Sequence, residues 1–149
     1  MGGGGLYATG RYYLTFTRMI LGSGRLDGAQ VLKPETVVLM GRNHMGALNV
    51  TKLVTVDPGS SNDAEFFQGM VKKWGLGFML NTEAAPGRRG AGSLTWAGLG
   101  NTYFWIDPAA GVSAVILTEV LPFADSGVLT LYDGFERGVY ASLAGSFVT

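Results

Sequence analysis

The sequence predicts an α+β fold, an antiparallel sheet of about three strands with flanking helices. Three observations carry that prediction. Apolar residues recur at helical spacing near both ends of the chain, over 9–21 and 126–144. Between them lie three runs rich in β-branched and aromatic residues, separated by Gly/Pro reversals. The order is helices, then a meander, then one packing helix, which is an α+β pattern.

Each element has a local reason. Thr9 is an N-cap for a helix running to about Leu21, with Tyr13, Phe16, Ile20 and Leu21 on one face, and "GSGRLDG" ends it. Pro34 in a first turn, followed by Glu35 and the apolar run Val37, Val38, Leu39 and Met40, signals a second, short helix. From 41 to 73 the pattern is weak, and "VDPGSSND" reads as a surface loop. The first strand-like run is 74–81, followed by "EAAPGRRGAG" as a turn or exposed loop. The second run, 93–106, is bent or broken at its glycines. Asp107-Pro108-Ala109-Ala110-Gly111 is a tight reversal into a buried strand over 112–118. Asp125 then caps a helix whose inward face is Val128, Leu131, Tyr132, Phe135, Val139 and Leu143. This organisation predicts a single domain over 1–149: a helical segment 1–45, a loop 46–72, and the sheet with its C-terminal helix over 73–149.

Composition narrows the function. The chain has 149 residues, enough to bury a real core, and is 47% hydrophobic, which excludes a disordered chain. Eleven basic residues balance eleven acidic ones, so no net charge points to nucleic acid or to an anionic membrane. With no cysteine there is no disulfide and no thiolate zinc site, and the compartment stays undetermined. No apolar run approaches the roughly 18–20 residues of a membrane span. The start, "MGGGGLYATG", has neither the basic nor the apolar region of a signal peptide.

A search for complete catalytic sets is mostly negative. No serine has a lysine three residues on, no Gly-x-Ser-x-Gly exists, and no tyrosine has asparagine two residues on. His44 is the only histidine, a polar loop residue rather than a ligand, so no metal or other cofactor is expected. "GGGLYA" fits Gly-x-Gly-x-x-Ala but no strand precedes it, so a dinucleotide site is rejected. Asn49-Val50-Thr51 matches a glycosylation acceptor, a pattern common by chance. Arg88 and Arg89 could bind an anion, but at a Gly/Pro-rich loop tip solvated side chains are the ordinary reading. Glu83 and Glu119 have no spacing that supports a carboxylate pair.

One resemblance adds to this. The segments "GGGGLYATGRYYLTFTRMILGSGRLDGAQVLKPETVVLM", "KKWGLGFMLNTEAAP" and "SLTWAGLGNTYFWIDPAAGVSAVILTEVLPF", in order, resemble the C-terminal part of the serine β-lactamase-related family. That family includes class C β-lactamases, penicillin-binding-protein-like carboxypeptidases and esterases of the same fold. Its third catalytic motif, Lys-Thr-Gly or His/Trp-x-Gly, lies on the strand edging the active site, and Trp96-Ala97-Gly98 matches that position. The resemblance implies strand N–H groups turned to the oxyanion of a tetrahedral intermediate, and close substrate approach at Gly98. Trp96 in place of lysine removes the cation for a β-lactam carboxylate, which favours neutral ester substrates. Without its flanks, Trp96 reads better as a strand aromatic packed on the core; with the flanking match, the motif is the better reading.

Two departures stand out. Tyr12 occupies the third helical position, where the family carries an acidic capping partner. The family's Ser-x-x-Lys and Tyr-x-Asn motifs precede the glycine-rich segment, and neither occurs in this chain. Three functions therefore stay open. The chain is a catalytically incomplete C-terminal part of a serine hydrolase. Or it is a small standalone hydrolase of ester-type substrates, with Ser93 or Tyr103 as nucleophile assisted by Lys72 or Lys73. Or it is a non-catalytic binding domain that self-associates. A sheet stripped of its N-terminal partners predicts a homo-oligomer.

Overall fold

The structure, a computed structural model, describes residues 7–145. Residues 1–6, and with them most of the Gly-x-Gly-x-x-Ala match, lie outside the described residues. Helix α1, Gly10–Leu21, begins where the sequence places it: the Thr9 side chain accepts a hydrogen bond from the Tyr12 N–H, and no acidic residue stands in the first turn. A hairpin of two short strands follows, β1 (Arg25–Leu26) and β2 (Ala29–Gln30), then α2 (Pro34–Met40) with proline in its first turn. The buried side of α1 is Thr17, Met19 and Ile20. Phe16, 36% exposed, lays its ring edge-on to Tyr13 at 5.7 Å at the margin of the expected face, and the Thr17 hydroxyl turns inward to Ser113 Oγ at 3.1 Å.

The main sheet has five antiparallel strands in the order β3-β4-β5-β6-β7: Lys72–Trp74, Met79–Asn81, Leu94–Gly98, Thr102–Asp107 and Val112–Ile116. The α+β class holds with more strands than expected, since two of the three runs break. The run 74–81 folds into a hairpin of β3 and β4 whose turn contains Gly77 at φ +91°. The run 93–106 breaks at 99–101, where Asn101 adopts a left-handed φ of 56°. Asn101 is fully buried and its side chain makes four hydrogen bonds. Nδ2 donates to the carbonyls of Val120 and Pro122, and Oδ1 accepts from Tyr103 OH and the Asp125 N–H.

Entry into β5 is a turn closed by a bulge. The Ser93 N–H donates to Gly90 O, and Gly92 supplies the φ of +80° that the third turn position demands. Gly92 N–H then donates to Asn81 O while Asn81 N–H donates to Ser93 O, the bonding of a glycine bulge.

The sheet is covered on both faces. Phe78, Leu80, Leu94, Phe104 and Ile106 pack against Met19 and Ile20 of α1. Tyr103, Trp105 and Ala114 pack against Val128 and Tyr132 of α3, Ser126–Gly145, whose first turn Asp125 caps through the Val128 N–H at 2.9 Å. Leu131 is 56% exposed and Phe135 38% exposed with its ring edge-on to Trp105 at 5.6 Å, while Val128, Tyr132 and the partly buried Val139 pack inward as expected and Glu136 joins them. Arg89 is the reason. The 82–92 loop, expected to be solvated at its tip, tucks a fully buried guanidinium under the helix, and Glu136 turns in to meet it.

Candidate active-site wall

Trp96, Ala97 and Gly98 form the second half of β5. The strand is third in the sheet, but its pairing with β4 covers only Leu94 and Thr95, whereas its pairing with β6 runs through Gly98. Beyond Thr95 the motif is therefore an edge. The Ser93 carbonyl points at β4, because it accepts the Asn81 N–H. Backbone groups alternate sides along a strand, so those of Thr95 and Ala97 point the same way. At Ala97 β4 has ended, and its N–H and C=O face the open side.

That side is a groove of about 490 Å³ between β5, α1 and the β3–β4 turn. Tyr13 and Phe16 of α1, Leu76 and Phe78 of the turn, and Val115 and Leu117 line it together with the motif, and among the described residues no charged one does. Burial raises the Tyr13 phenol above its ordinary pKa, so its ring enters the groove neutral. Trp96 is half-buried, its ring edge-on to Trp74 at 4.5 Å and to Phe66 at 6.3 Å. Gly98 has a packing reason of its own: a Cβ there would meet Thr102 Oγ1 at 2.5 Å.

The other candidate residues are held elsewhere. Ser93 is completely buried beneath the α3 side, and its hydroxyl has no hydrogen-bond partner among the described residues. Tyr103 stands opposite Ala97, four residues along from Ser93, which is ~13 Å of strand. Its OH donates to Asn101, its ring stacks on Tyr132 at 4.7 Å, and burial, with Tyr132 nearby, pushes its pKa up to about 12. Lys72 is buried with Nζ on the Phe67 carbonyl. β4 separates it from Ser93, a gap of roughly 10 Å between the outer strands. Lys73 Nζ donates to the carbonyls of Gly46 and Leu48. None of these four hydrogen-bonds to another of them. Glu83 Oε1 accepts the Val71 N–H, and His44 Nε2 lies on the Leu39 carbonyl. Among the described residues no three His, Asp or Glu side chains cluster as a metal site, and no helix is long and apolar enough to cross a membrane.

What sequence reasoning missed was the setting of the motif. The early end of β4 and the return of Phe66 from the long 41–71 segment onto Trp96 carry no periodic signal.

A family model described as Beta-lactamase matches residues 1–135. The chain belongs to the beta-lactamase family. Two curated relatives from Mycobacterium tuberculosis, Protein Rv1367c of strain H37Rv and Uncharacterized protein MT1414 of strain CDC 1551, are each 33% identical over 125 residues, 80% of this chain. The chain spans 29% of the length of either relative. Among solved structures, the LovD9 mutant of simvastatin synthase (LovD) from Aspergillus terreus aligns with a TM-score of 0.70 and 24% identity, over 89% of this chain and 34% of that one. The unliganded enzyme aligns with a TM-score of 0.65 and 22% identity, over 87% and 33%. This likeness gives the beta-lactamase fold to the five-stranded sheet and its helices.

Proposed function

We propose that this beta-lactamase-family chain is the C-terminal part of a serine hydrolase-type domain, with Trp96-Ala97-Gly98 as the strand-side wall of an acyl-transfer site. The carrying observation is the Ala97 backbone, which faces an uncharged groove where β4 has stopped. A fixed N–H on a strand edge is the donor that stabilises an oxyanion, and it costs no reorganisation as charge develops. Trp96 at the head of the motif, with no cation among the described residues that line the groove, favours neutral esters over substrates that carry a carboxylate. The chain on its own is catalytically incomplete. It contains no Ser-x-x-Lys, and Ser93, its one serine beside the motif strand, is sealed under α3. Labelling with a fluorophosphonate, read by intact mass, tests this: the chain alone gives no adduct.

Self-association is a second reading with its own observation. The outer edge of β3 is covered by the 44–50 segment, through His44 N–H to Trp74 O and Val50 N–H to Lys72 O. The outer edge of β7 has no strand partner among the described residues, and Leu117, Val120 and Leu121 beyond it are 38–60% exposed. An open edge beside exposed apolar residues is a template for pairing, and a two-fold homodimer would close it.

A further inference from the structure

Trp96 heads the motif with strand support on one side only. Phe104 of β6 pairs with it, but pairing with β4 stops at Thr95, so no residue pairs with it on the other side. There its indole is held by two rings from outside the β5–β6 pair, Trp74 at 4.5 Å and Phe66 at 6.3 Å. Both are edge-on, a geometry that aromatic rings favour.

Phe66 lies in none of the strands of the sheet. It packs with the α3-side cluster and Trp96 with the α1-side one, so the two rings meet past the point where β4 stops. A fastened segment puts Phe66 there. Leu53 and Ala64 exchange both backbone hydrogen bonds, at 2.8 and 2.9 Å, and close the stretch between them into a loop. That loop is tied to the segment before α3: Phe123 N–H donates to Ser60 O and Asn62 N–H donates to Phe123 O, each at 2.8 Å. The Phe123 ring then lies against Phe66 at 6.3 Å. Between Phe66, Phe67, Met79 and the motif strand the remaining space is about 10 Å³, no more than one water needs. While the Phe66 ring fills its place, the indole has no room to turn inward.

We infer that Phe66 is a positioning residue of the motif: it fixes the orientation of the Trp96 indole, and with it the shape of the wall beside Ala97. What the wall serves rests on the proposed function. The orientation of the ring does not, and it is measured on the chain as it stands.

The test is NMR of the isotope-labelled chain. Loss of one ring shifts its neighbours by itself, so the readout is the nuclear Overhauser contact between the Trp96 indole and Trp74. Phe66→Ala should lose that contact, and Phe66→Leu, which keeps most of the bulk, should retain it. The contact of Trp105 with Phe135, on the α3 side, is the control and should persist in both variants. Phe66→Val removes the ring with a smaller loss of volume and replaces alanine if that variant does not fold. A Trp96–Trp74 contact that survives in a folded alanine or valine variant overturns the inference. Loss of the Trp105–Phe135 contact in the same variant also overturns it, since Phe66 would then support the fold at large. Fluorophosphonate labelling is read separately. An adduct on a serine of this chain removes the proposed function and leaves the Trp96 contact to be read, whereas a surviving contact with no adduct removes only the role of Phe66.

Discussion

Arg89 and Glu136 meet in a two-pronged ion pair from which solvent is excluded: Nε donates to Oε1 at 2.8 Å and an Nη to Oε2 at 2.9 Å, at 0% and 1% side-chain exposure. The same guanidinium donates to Tyr132 OH at 2.6 Å and lies against the rings of Phe67, Trp105 and Tyr132. Burial opposes its charge, but Tyr132 and Glu136 outweigh burial and hold its pKa above the ordinary value. The pair pins the 82–92 loop between the sheet and α3. Removing one partner leaves the other buried and unpaired, so Arg89→Met or Glu136→Leu should each cost about 3–5 kcal/mol. The double variant Arg89→Met/Glu136→Leu should cost less than the sum of the two. Urea denaturation of the three proteins measures the coupling, and additive losses would refute it.

Asn101 is the second such anchor, joining the β5–β6 turn to the segment that leads into α3. Asn101→Ala leaves Tyr103 OH, the Asp125 N–H and two carbonyls without their partner and puts a Cβ-bearing residue with no local hydrogen bond at a positive φ. A loss of about 2–4 kcal/mol is expected from the unmade bonds. Asn101→Gly loses the same bonds but not the backbone fit, so it should be milder by about 1 kcal/mol. Thermal unfolding that ranks glycine below alanine would contradict the role given to the left-handed turn.

Asp107 sets an acid limit. Burial alone would raise its pKa, but donors from Gly90, Ala110, Tyr140 and Ala109 together bring it below the ordinary carboxylate value. A carboxylate depressed in the folded state stabilises fully above its unfolded pKa, about 3.9, and that stability is lost as pH falls through the folded value. The chain should therefore lose stability below about pH 4. Asp107→Asn should be less stable at neutral pH with a flatter acid limb, checked by denaturation from pH 2 to 7.

Much of the architecture was legible because it rests on local signals. The Thr9 and Asp125 caps, Pro34 in a first turn and the 107–111 reversal each fix an element from a few neighbouring residues. The place of Glu136 in the inward stripe of α3 was not legible, because it depends on Arg89, which lies 47 residues before Glu136 in the chain and comes from a loop that composition assigns to solvent. The strand breaks at Gly77 and Asn101 divide the 74–81 and 93–106 runs, since hydrophobicity alone does not show where pairing stops. The tripeptide itself was visible. Its open edge was not, since that depends on how few residues of β4 pair with β5.

The free edge of β7 bears on association. If two copies close it, sedimentation equilibrium should return twice the 15.7 kDa chain mass at micromolar concentration, with a buried surface above about 2,000 Å² as in obligate dimers. A stable folded monomer at that concentration would remove the self-association reading and leave the wall of a larger site.

The central claim is that Trp96-Ala97-Gly98 belongs to an acyl-transfer site whose nucleophile this chain does not contain. Fluorophosphonate labelling of the chain, read by intact mass and peptide mapping, addresses it directly. The account predicts no adduct. A stoichiometric adduct on Ser93, or on any other serine of these 149 residues, would contradict it.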